Sequence, residues 1–513
     1  DWKFEYETAK RTLCEYFKTP FLDGMGISEK KRAICASGAL IKYVQSLSSS
    51  SLFHVDRISL YDDSEFLFIS PAAIKGLEIE PLIKSIDKTH TASGKRLLKE
   101  WIFHPLKDIE QINERLSAVG ILIENKSIQD ALISTLKKMN DIEKILSRLS
   151  SGYLNPRDLL ALKNSIGLIP EIEKILQPIS TLNRYFVVSD ISDLRNFLEN
   201  TINSDMPLSH PEGEIIKDGF DKELDLYRGI KKTSSKWLKN YQAEEIKKTG
   251  ISSLKIGYTQ VFGYYIEISK ANLHLVPDTY IRKQTLVNAE RFVTPQLKEF
   301  EEKILSAQQH VYEIESRLLK QVIAKILEFS SRIHQFAKTM AAMDVLNSFG
   351  ILAASQNYIR PEITDGDEII IKDGRHVLVE LYLEGDFIPN DTMLDCSSNR
   401  LLIITGPNMA GKSTYIRQVA ILIILAQSGC YIPASSATIG LVDKIFARIG
   451  AHDEISKGQS TFMVEMSETA WILSNLSEKS LVILDEIGRG TSTYDGLALA
   501  QSVAEYLYNQ KAR

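Results

Sequence analysis

Gly406-Pro-Asn-Met-Ala-Gly-Lys-Ser413 has the spacing G-x-x-x-x-G-K-[ST]. That pattern is a glycine loop whose backbone N–H groups wrap phosphate, with Lys412 reaching the β- and γ-phosphates and Ser413 holding Mg²⁺. Further along, Ser480-Leu-Val-Ile-Leu-Asp485-Glu486 ends an apolar run in two acids. In phosphate-loop enzymes an Asp at such a strand end holds Mg²⁺. The adjacent Glu486 suits a base that orients or deprotonates the attacking water. A strand ending in solvated acids is common by itself. Downstream of a glycine loop it reads as the second half of a site that hydrolyses nucleoside triphosphate, with Mg²⁺ as the expected metal.

Such chemistry needs rigid elements around it. Leu401-Leu-Ile-Ile404 reads as a buried parallel strand, and Ser413 to about Gln427 as a helix with apolar residues all round. Strand, loop and helix N-terminus together make an anion site, because free N–H groups and the helix dipole both favour negative charge. Residues from about 363 onward therefore read as an α/β domain.

The remainder of the chain is mostly helical in pattern. Helices are expected over Glu7 to Phe17 and Lys30 to Gln45, followed by a serine-rich linker, Ser46 to Ser51. Leu97, Leu98, Trp101 and Ile102 share one face of a helix that His104-Pro105 ends. Ile142, Ile145, Leu146 and Leu149 form another such face, and Asn155-Pro156-Arg157-Asp158 reads as a turn into a helix, with Asn155 or Asp158 as its cap. Between about 240 and 300 the period changes to two: Leu254, Ile256 and Tyr258 alternate, as do Tyr264, Ile266 and Ile268, giving a hairpin with Gly263 near its turn. From Pro295 to Gly350 no Gly or Pro intervenes. One helix of about 50 residues would be roughly 75 Å long, and a break near Ser330-Ser331 is expected. A β-rich module inserted on long helical arms suits mechanical coupling.

Bulk properties set limits. A chain of 513 residues has room for roughly three or four domains. Hydrophobic content of 44% and charged content of 25% are ordinary for a globular protein. The net charge of −5 supplies no overall basic field, so nucleic-acid contact would need a local patch. The four cysteines, Cys14, Cys35, Cys396 and Cys430, have no C-x-x-C spacing, so neither a zinc site nor a disulfide framework is expected. The longest apolar run, Val419 to Ala426, is too short to cross a membrane. The chain starts at Asp1 rather than Met, and a segment of a longer protein is expected.

The local patch lies in the β module. Lys270, Arg282, Lys283 and Arg291 are interleaved with Tyr264, Tyr265, Tyr280 and Phe292, and Asn272, Gln284, Thr285 and Asn288 could bond phosphate. Glu267, Asp278 and Glu290 are interspersed. On composition alone, a solvated charged face explains the cations better than DNA binding does, and sheet packing explains the aromatics better than base stacking.

Three stretches resemble the MutS family of DNA mismatch repair ATPases: Thr405-Gly-Pro-Asn-Met-Ala-Gly-Lys-Ser-Thr-Tyr415, Ser460-Thr-Phe-Met-Val-Glu-Met466 and Asp485-Glu-Ile-Gly-Arg-Gly-Thr-Ser-Thr-Tyr-Asp-Gly496. The resemblance covers nearly the whole chain. Gly94-Lys-Arg-Leu-Leu98 with His104-Pro-Leu-Lys-Asp108 looks like the family's core domain. Gly263-Tyr-Tyr-Ile266, Arg282-Lys-Gln-Thr-Leu286 and Asn288-Ala-Glu-Arg291 look like its DNA clamp, and Asp373-Gly-Arg-His376 like the start of its ATPase domain.

The resemblance implies a multidomain fold. It would have a mainly α-helical core with long lever helices, an inserted β-rich clamp, and a C-terminal α/β P-loop ATPase domain of ABC type. The implied division is 1–48, end of the connector; 49–237, core and lever; 238–300, clamp; 301–362, returning lever; 363–513, ATPase. It also implies ATP/ADP as the nucleotide, with contacts along Gly406, Pro407, Asn408, Met409, Ala410, Gly411, Lys412, Ser413 and Thr414. Asn408 would lie near the γ-phosphate, Phe387 would stack on adenine, and Ser460 would reach the partner subunit's nucleotide. Read from residues alone, Phe387 is a loop hydrophobe and Ser460 a helix cap. Arg489 and Thr491 would belong to a loop that senses the partner. A homodimer, duplex DNA carrying mismatches, a MutL-type repair partner and a cytoplasmic, nucleoid-associated location follow from the same likeness.

The sequence departs from the family pattern in places. The family's N-terminal mismatch-reading domain is not in this sequence, which also stops at Arg513, ahead of the family's switch loop and dimerisation helices. Weak hydrolysis is expected of it. Gln459 stands where a basic residue is frequent, and Val377 where proline is frequent. The alternative is a chromosome-maintenance ATPase that binds duplex or junction DNA without reading mismatches. A transport ATPase is disfavoured by Ser-Thr-Phe in place of a glycine-rich signature.

Overall fold

The apolar periods of the sequence become helices first and sheets second. The computed structural model describes the chain except residues 1, 18, 20–21, 23–26, 28–29, 48–57, 59–64, 153–154, 189, 208–212, 260, 383–384, 386, 451–460, 511 and 513. It divides into two units. The first holds Asp1–Ser147, Leu168–Asp190 and Ser331–Arg513, and the second Arg148–Gly167 and Ile191–Ser330.

In the first unit, helices Tyr6–Phe17 and Lys31–Leu47 pair around Leu13, Leu22, Ile27 and Ile34. Gly38 permits their close approach, since a Cβ there would lie 2.6 Å from the Ala9 backbone. The expected linker Ser46–Ser51 begins within the second of these helices, and the rest of it lies outside the described residues.

Helix Ala92–Phe103 ends at His104, as its sequence implied. Its start is held from far along the chain. Asp344, fully buried on helix Ser330–Gln356, accepts the Thr91 N–H (2.7 Å) and hydroxyl (2.6 Å), while the Thr91 hydroxyl oxygen accepts the Gly94 N–H. A Cβ on Gly94 would sit 2.2 Å from Asp344 Oδ2, so this cap requires glycine.

Two sheets support the chemistry of this unit. One is parallel, in the order Phe68–Ile69, Lys444–Arg448, Ser480–Leu484. The other is mixed, in the order Glu362–Thr364, Ser436–Gly440, Ile369–Gly374, Asn390–Leu394. Helix Lys412–Gln427 is buried at every residue from Gln418 to Gln427, which explains an apolar pattern without a polar face. Of its two buried amides, Gln418 has no hydrogen-bond partner among the described residues, while Gln427 is satisfied: its Nε2 donates to the Leu106 and Val442 carbonyls, and its Oε1 accepts the Val442 N–H.

Leu401–Ile404 does not form the expected buried strand. Its backbone is irregular and its side chains are exposed, Ile403 to 80%. Among the described residues, Ser480–Leu484 pairs only with Lys444–Arg448. Leu401, Leu402 and Ile404 instead share a cavity of about 100 Å³ with Leu481–Leu484. Strand-forming side chains make a strand only where a neighbour's N–H and C=O groups meet them in register.

In the second unit, helices Lys222–Thr249 and Pro295–Glu328 pack along each other. The 34 residues of the latter span about 51 Å at 1.5 Å each. Phe329 ends it before Ser330–Gln356 begins, one residue ahead of the expected break. Buried Glu315 ties an irregular segment to this arm by accepting the N–H groups of Gly213, Ile215 (2.8 Å) and Ile216 (3.1 Å), with Arg228 beside it (3.0 Å).

Between the two helices in sequence lies a four-stranded antiparallel sheet, in the order Lys255–Thr259, Gly263–Ser269, Ala289–Val293, Ile281–Thr285. The expected hairpin is present, and Gly263 at its turn has φ +70°. Ile266, Ile268, Tyr280 and Phe292 pack onto Tyr241 and Leu297 from the flanking helices, and Trp237 stacks on Phe300 with ring centres 3.6 Å apart.

Candidate nucleotide site and candidate nucleic-acid interface

The glycine loop opens onto the start of helix Lys412–Gln427. Gly411 precedes it at φ +87° with no side chain capping the helix. The first N–H groups of a helix have no partner within it, so an uncapped start offers them to an anion. Gly406 (φ +155°) and Met409 (φ +65°) also take positive φ, and Met409 is fully exposed. Lys412 curls back into the loop, its Nζ donating to the carbonyls of Gly406 (2.7 Å) and Pro407 (2.8 Å). A cavity of about 650 Å³ borders the loop, lined among others by Phe387, Asn390, Thr405, Gly411, Lys412 and Thr414. Phe387 and the loop, widely separated in sequence, thus face the same space. Gly406, Pro407, Asn408, Met409 and Ala410 are all exposed, while Ser413 is half-buried at the helix start.

Tyr415 fixes the first helical turn. Its hydroxyl donates to the Asp391 carbonyl (3.1 Å) and accepts from Thr392 Oγ1 (3.1 Å). Arg417 on the same helix pairs with Glu78 (2.8 Å). Nearby, His376 Nδ1 accepts the Val379 N–H (3.4 Å) at the start of helix Val377–Tyr382. Burial, with a smaller contribution from the Arg417 charge, pushes the His376 pKa down to about 4.

Asp485 and Glu486 stand at the end of strand Ser480–Leu484 as expected, and the Asp485 N–H bonds the Arg448 carbonyl at 2.8 Å. Glu486 takes φ +54° and its carboxylate pairs with Arg489. A cavity of about 130 Å³ is lined by both acids together with Arg448, Glu465, Arg489 and Gly490. The loop and the acids therefore line separate cavities. What joins them is the packing of Ile416 and Val419 on the helix against Leu481–Leu484 on the strand, around the cavity of about 100 Å³. Two participants were missed from sequence. Glu465 is buried and accepts the Gly488 N–H at 2.8 Å. Arg448, at the end of the neighbouring strand, pairs with Glu468 (3.0 Å). Glu465 belongs to the Ser460–Met466 stretch, but nothing in its local spacing signals a long-range acceptor. Ser460, the residue expected to act across a dimer, lies outside the described residues.

The four cations of the β module divide. Arg291 is committed within the sheet: it bonds Glu267 (3.1 Å) and Gln284 (2.8 Å) and lies 4.2 Å from the Tyr265 ring centre. Lys270, Arg282 and Lys283 are exposed, with Arg282 only loosely paired to Glu290 at 3.5 Å. Tyr265, Tyr280 and Phe292 are buried and serve packing. Asn272 donates to Ser253 and Ser269, so its amide is already engaged.

The family model described as MutS domain III matches residues 72–350, that of MutS domain V residues 402–513, and that of MutS domain II residues 1–56. Curated relatives carry the name DNA mismatch repair protein MutS. The protein from Alkaliphilus metalliredigens is 44% identical over 525 residues, covering 100% of this chain and 60% of the relative. Those from Protochlamydia amoebophila and Methanococcoides burtonii are 42% and 40% identical, covering 100% and 99% of this chain and 61% and 59% of the relatives. The chain thus spans 59–61% of the length of these three relatives. With its helical middle, its glycine loop and its N-terminal helices all matched by models of one family, the chain belongs to the MutS family.

Proposed function

We propose that this chain is the DNA-gripping and ATP-hydrolysing part of a DNA mismatch repair protein. It holds duplex DNA through the β module and its arms, and it couples that grip to ATP binding and hydrolysis at sites shared between two subunits of a homodimer. The observation that carries the reading is the cavity of about 650 Å³, where Phe387 meets the glycine loop and the uncapped helix start. An aromatic face beside a cluster of free N–H groups and a lysine suits a base with a phosphate tail.

Backbone N–H groups within 406–414, which Pro407 alone lacks, would cradle the phosphates, Lys412 would add a point charge, and Phe387 would lie against adenine. Ser413 and Asp485 would hold Mg²⁺, which when bound offsets the charge of the phosphates. One carboxylate and one hydroxyl fit Mg²⁺, which keeps several waters and takes its other ligands from phosphate. Glu486, with Arg489 beside it, would accept the proton of the attacking water. The segment around Ser460 would complete the partner subunit's site.

The proposed division is a connector end (1–48), core and lever (49–237), clamp (238–300), returning lever (301–362) and an ABC-type ATPase domain (363–513). Lys270, Arg282 and Lys283 would meet DNA phosphates, with Arg291 holding the sheet that presents them. A MutL-type protein would be the downstream partner, and the setting would be the cytoplasm at the nucleoid. Among the described residues no helix is long and apolar enough to cross a membrane.

The test compares binding of full-length protein to a G·T heteroduplex and to the matched duplex, with and without ATP. Tighter binding to the heteroduplex, released or converted by ATP, is expected. Equal affinities under both conditions would sink mismatch reading and leave an ATPase that binds duplex DNA without it.

A further inference from the structure

The loop that follows Glu486 does not hold its own shape. Glu486 at φ +54° and Gly488 at φ +83° are both left-handed, and for a residue with a side chain that conformation persists only where its surroundings impose it. The surroundings here are close. A Cβ on Gly488 would lie 2.6 Å from the Gly496 carbonyl oxygen, and one on Gly496 would lie 2.4 Å from that of Gly488. A Cβ on Gly490 would come within 3.0 Å of Phe462. Helices Thr493–Asn509 and Thr461–Ser474 therefore press the loop from two sides.

Packing alone does not choose the direction of a peptide plane; a directional bond does. Glu465 on helix Thr461–Ser474 is 5% exposed and takes the Gly488 N–H at 2.8 Å. Its carboxylate shares a cavity with Asp485, Glu486, Arg448 and Arg489. The pair between Glu486 and Arg489 is exposed on both sides, at 48% and 73%, and an exposed pair three residues apart is a weak restraint. A buried carboxylate accepting a backbone N–H is a stronger one.

We infer that Glu465 is a positioning residue for hydrolysis. By holding the Gly488 amide, it sets the loop conformation that points the Glu486 carboxylate at the water it is to activate. This rests on the reading of Glu486 as the base of an ATP site. Glu465 holds the Gly488 amide and does not line the cavity at the glycine loop, so its loss should act on turnover and spare binding.

The experiment uses the full chain with Glu465→Ala and Glu465→Gln. It reads kcat, KM, the affinity for a slowly hydrolysed ATP analogue, and hydrogen exchange of the amides at 486–490. Glu465→Ala should lower kcat roughly tenfold or more, leave analogue affinity within about twofold, and speed exchange at Gly488. Glu465→Gln keeps an acceptor oxygen and should recover most of kcat. If the alanine variant does not fold, Glu465→Asp, one methylene shorter, takes its place with the same expectations. Wild-type kcat or unchanged Gly488 exchange in Glu465→Ala overturns the inference, as does a loss of kcat that Glu465→Gln does not restore. Absence of hydrolysis in the unmutated chain counts against the ATPase reading instead, and Gly488 exchange then decides the role of Glu465 by itself.

Discussion

Lys412 carries the point charge of the glycine loop, and in the structure its ammonium rests on the carbonyls of Gly406 and Pro407. Those bonds are replaceable by phosphate oxygens, which are stronger acceptors because they are charged. Lys412→Ala should weaken nucleotide binding by at least about tenfold, a loss of some 1.4 kcal/mol, while leaving the unliganded melting temperature unchanged. Titration with a fluorescent nucleotide checks this; undiminished affinity would mean that the loop does not hold phosphate. Glu486 makes the opposite prediction. Removing a general base costs typically about 10²–10⁴-fold in rate, so Glu486→Ala should bind nucleotide normally and turn it over at that reduced rate. Unchanged turnover would remove Glu486 from its role.

At the scale of elements, the short helix Val377–Tyr382 connects pH to the wall of the cavity beside the glycine loop, which Val379 lines. His376 accepts the Val379 N–H through Nδ1 and is 4% exposed. Its pKa falls from 6.5 to about 4, first because burial disfavours the charged ring and then because Arg417 repels it. The unfolded chain therefore takes up a proton that the folded chain refuses. Stability conferred by the neutral ring is intact above about pH 6.5 and is lost as pH falls from there toward 4. The loss amounts to at most about 3 kcal/mol. Urea unfolding of the chain and of His376→Asn, which retains an acceptor for the Val379 N–H, should show a shallower pH dependence in the variant over this window. Parallel curves would assign the acid sensitivity to other groups.

For the whole molecule, the glycine loop and the exposed cations of the β module belong to different units, and the chain passes between those units at Ser330–Ser331, among other points. If the module grips DNA through phosphates, its contribution is electrostatic and blind to sequence. Combined Lys270→Ala and Lys283→Ala substitutions should lower affinity for matched and mismatched duplexes alike. They should also reduce the slope of log affinity against log salt by about 0.9 per lost contact. Nucleotide affinity without DNA should not change. A salt slope that stays the same would move the DNA contacts elsewhere on the chain.

How much of this was legible in the sequence depended on the range of the interactions. The glycine loop, the following helix, the acids after an apolar run, the hairpin at Gly263 and the break near Ser330 were all readable, because each follows from backbone freedom or side-chain period within a few residues. Leu401–Ile404 had the composition of a strand, yet its fate was decided by whether an edge was in register to receive it. Arg291 looked as free as Lys283 until the sheet set it opposite Glu267. Asp344 capping Thr91, and Glu465 holding the loop behind Glu486, link positions far apart in the chain and had no local signature. The sequence by itself therefore determined where the glycine loop, the helix after it and the paired acids lie. Only the tertiary structure decided which buried carboxylates hold a helix start and the loop after Glu486 in place, because a hydrogen bond between distant residues exists only once packing has brought its donor and acceptor together.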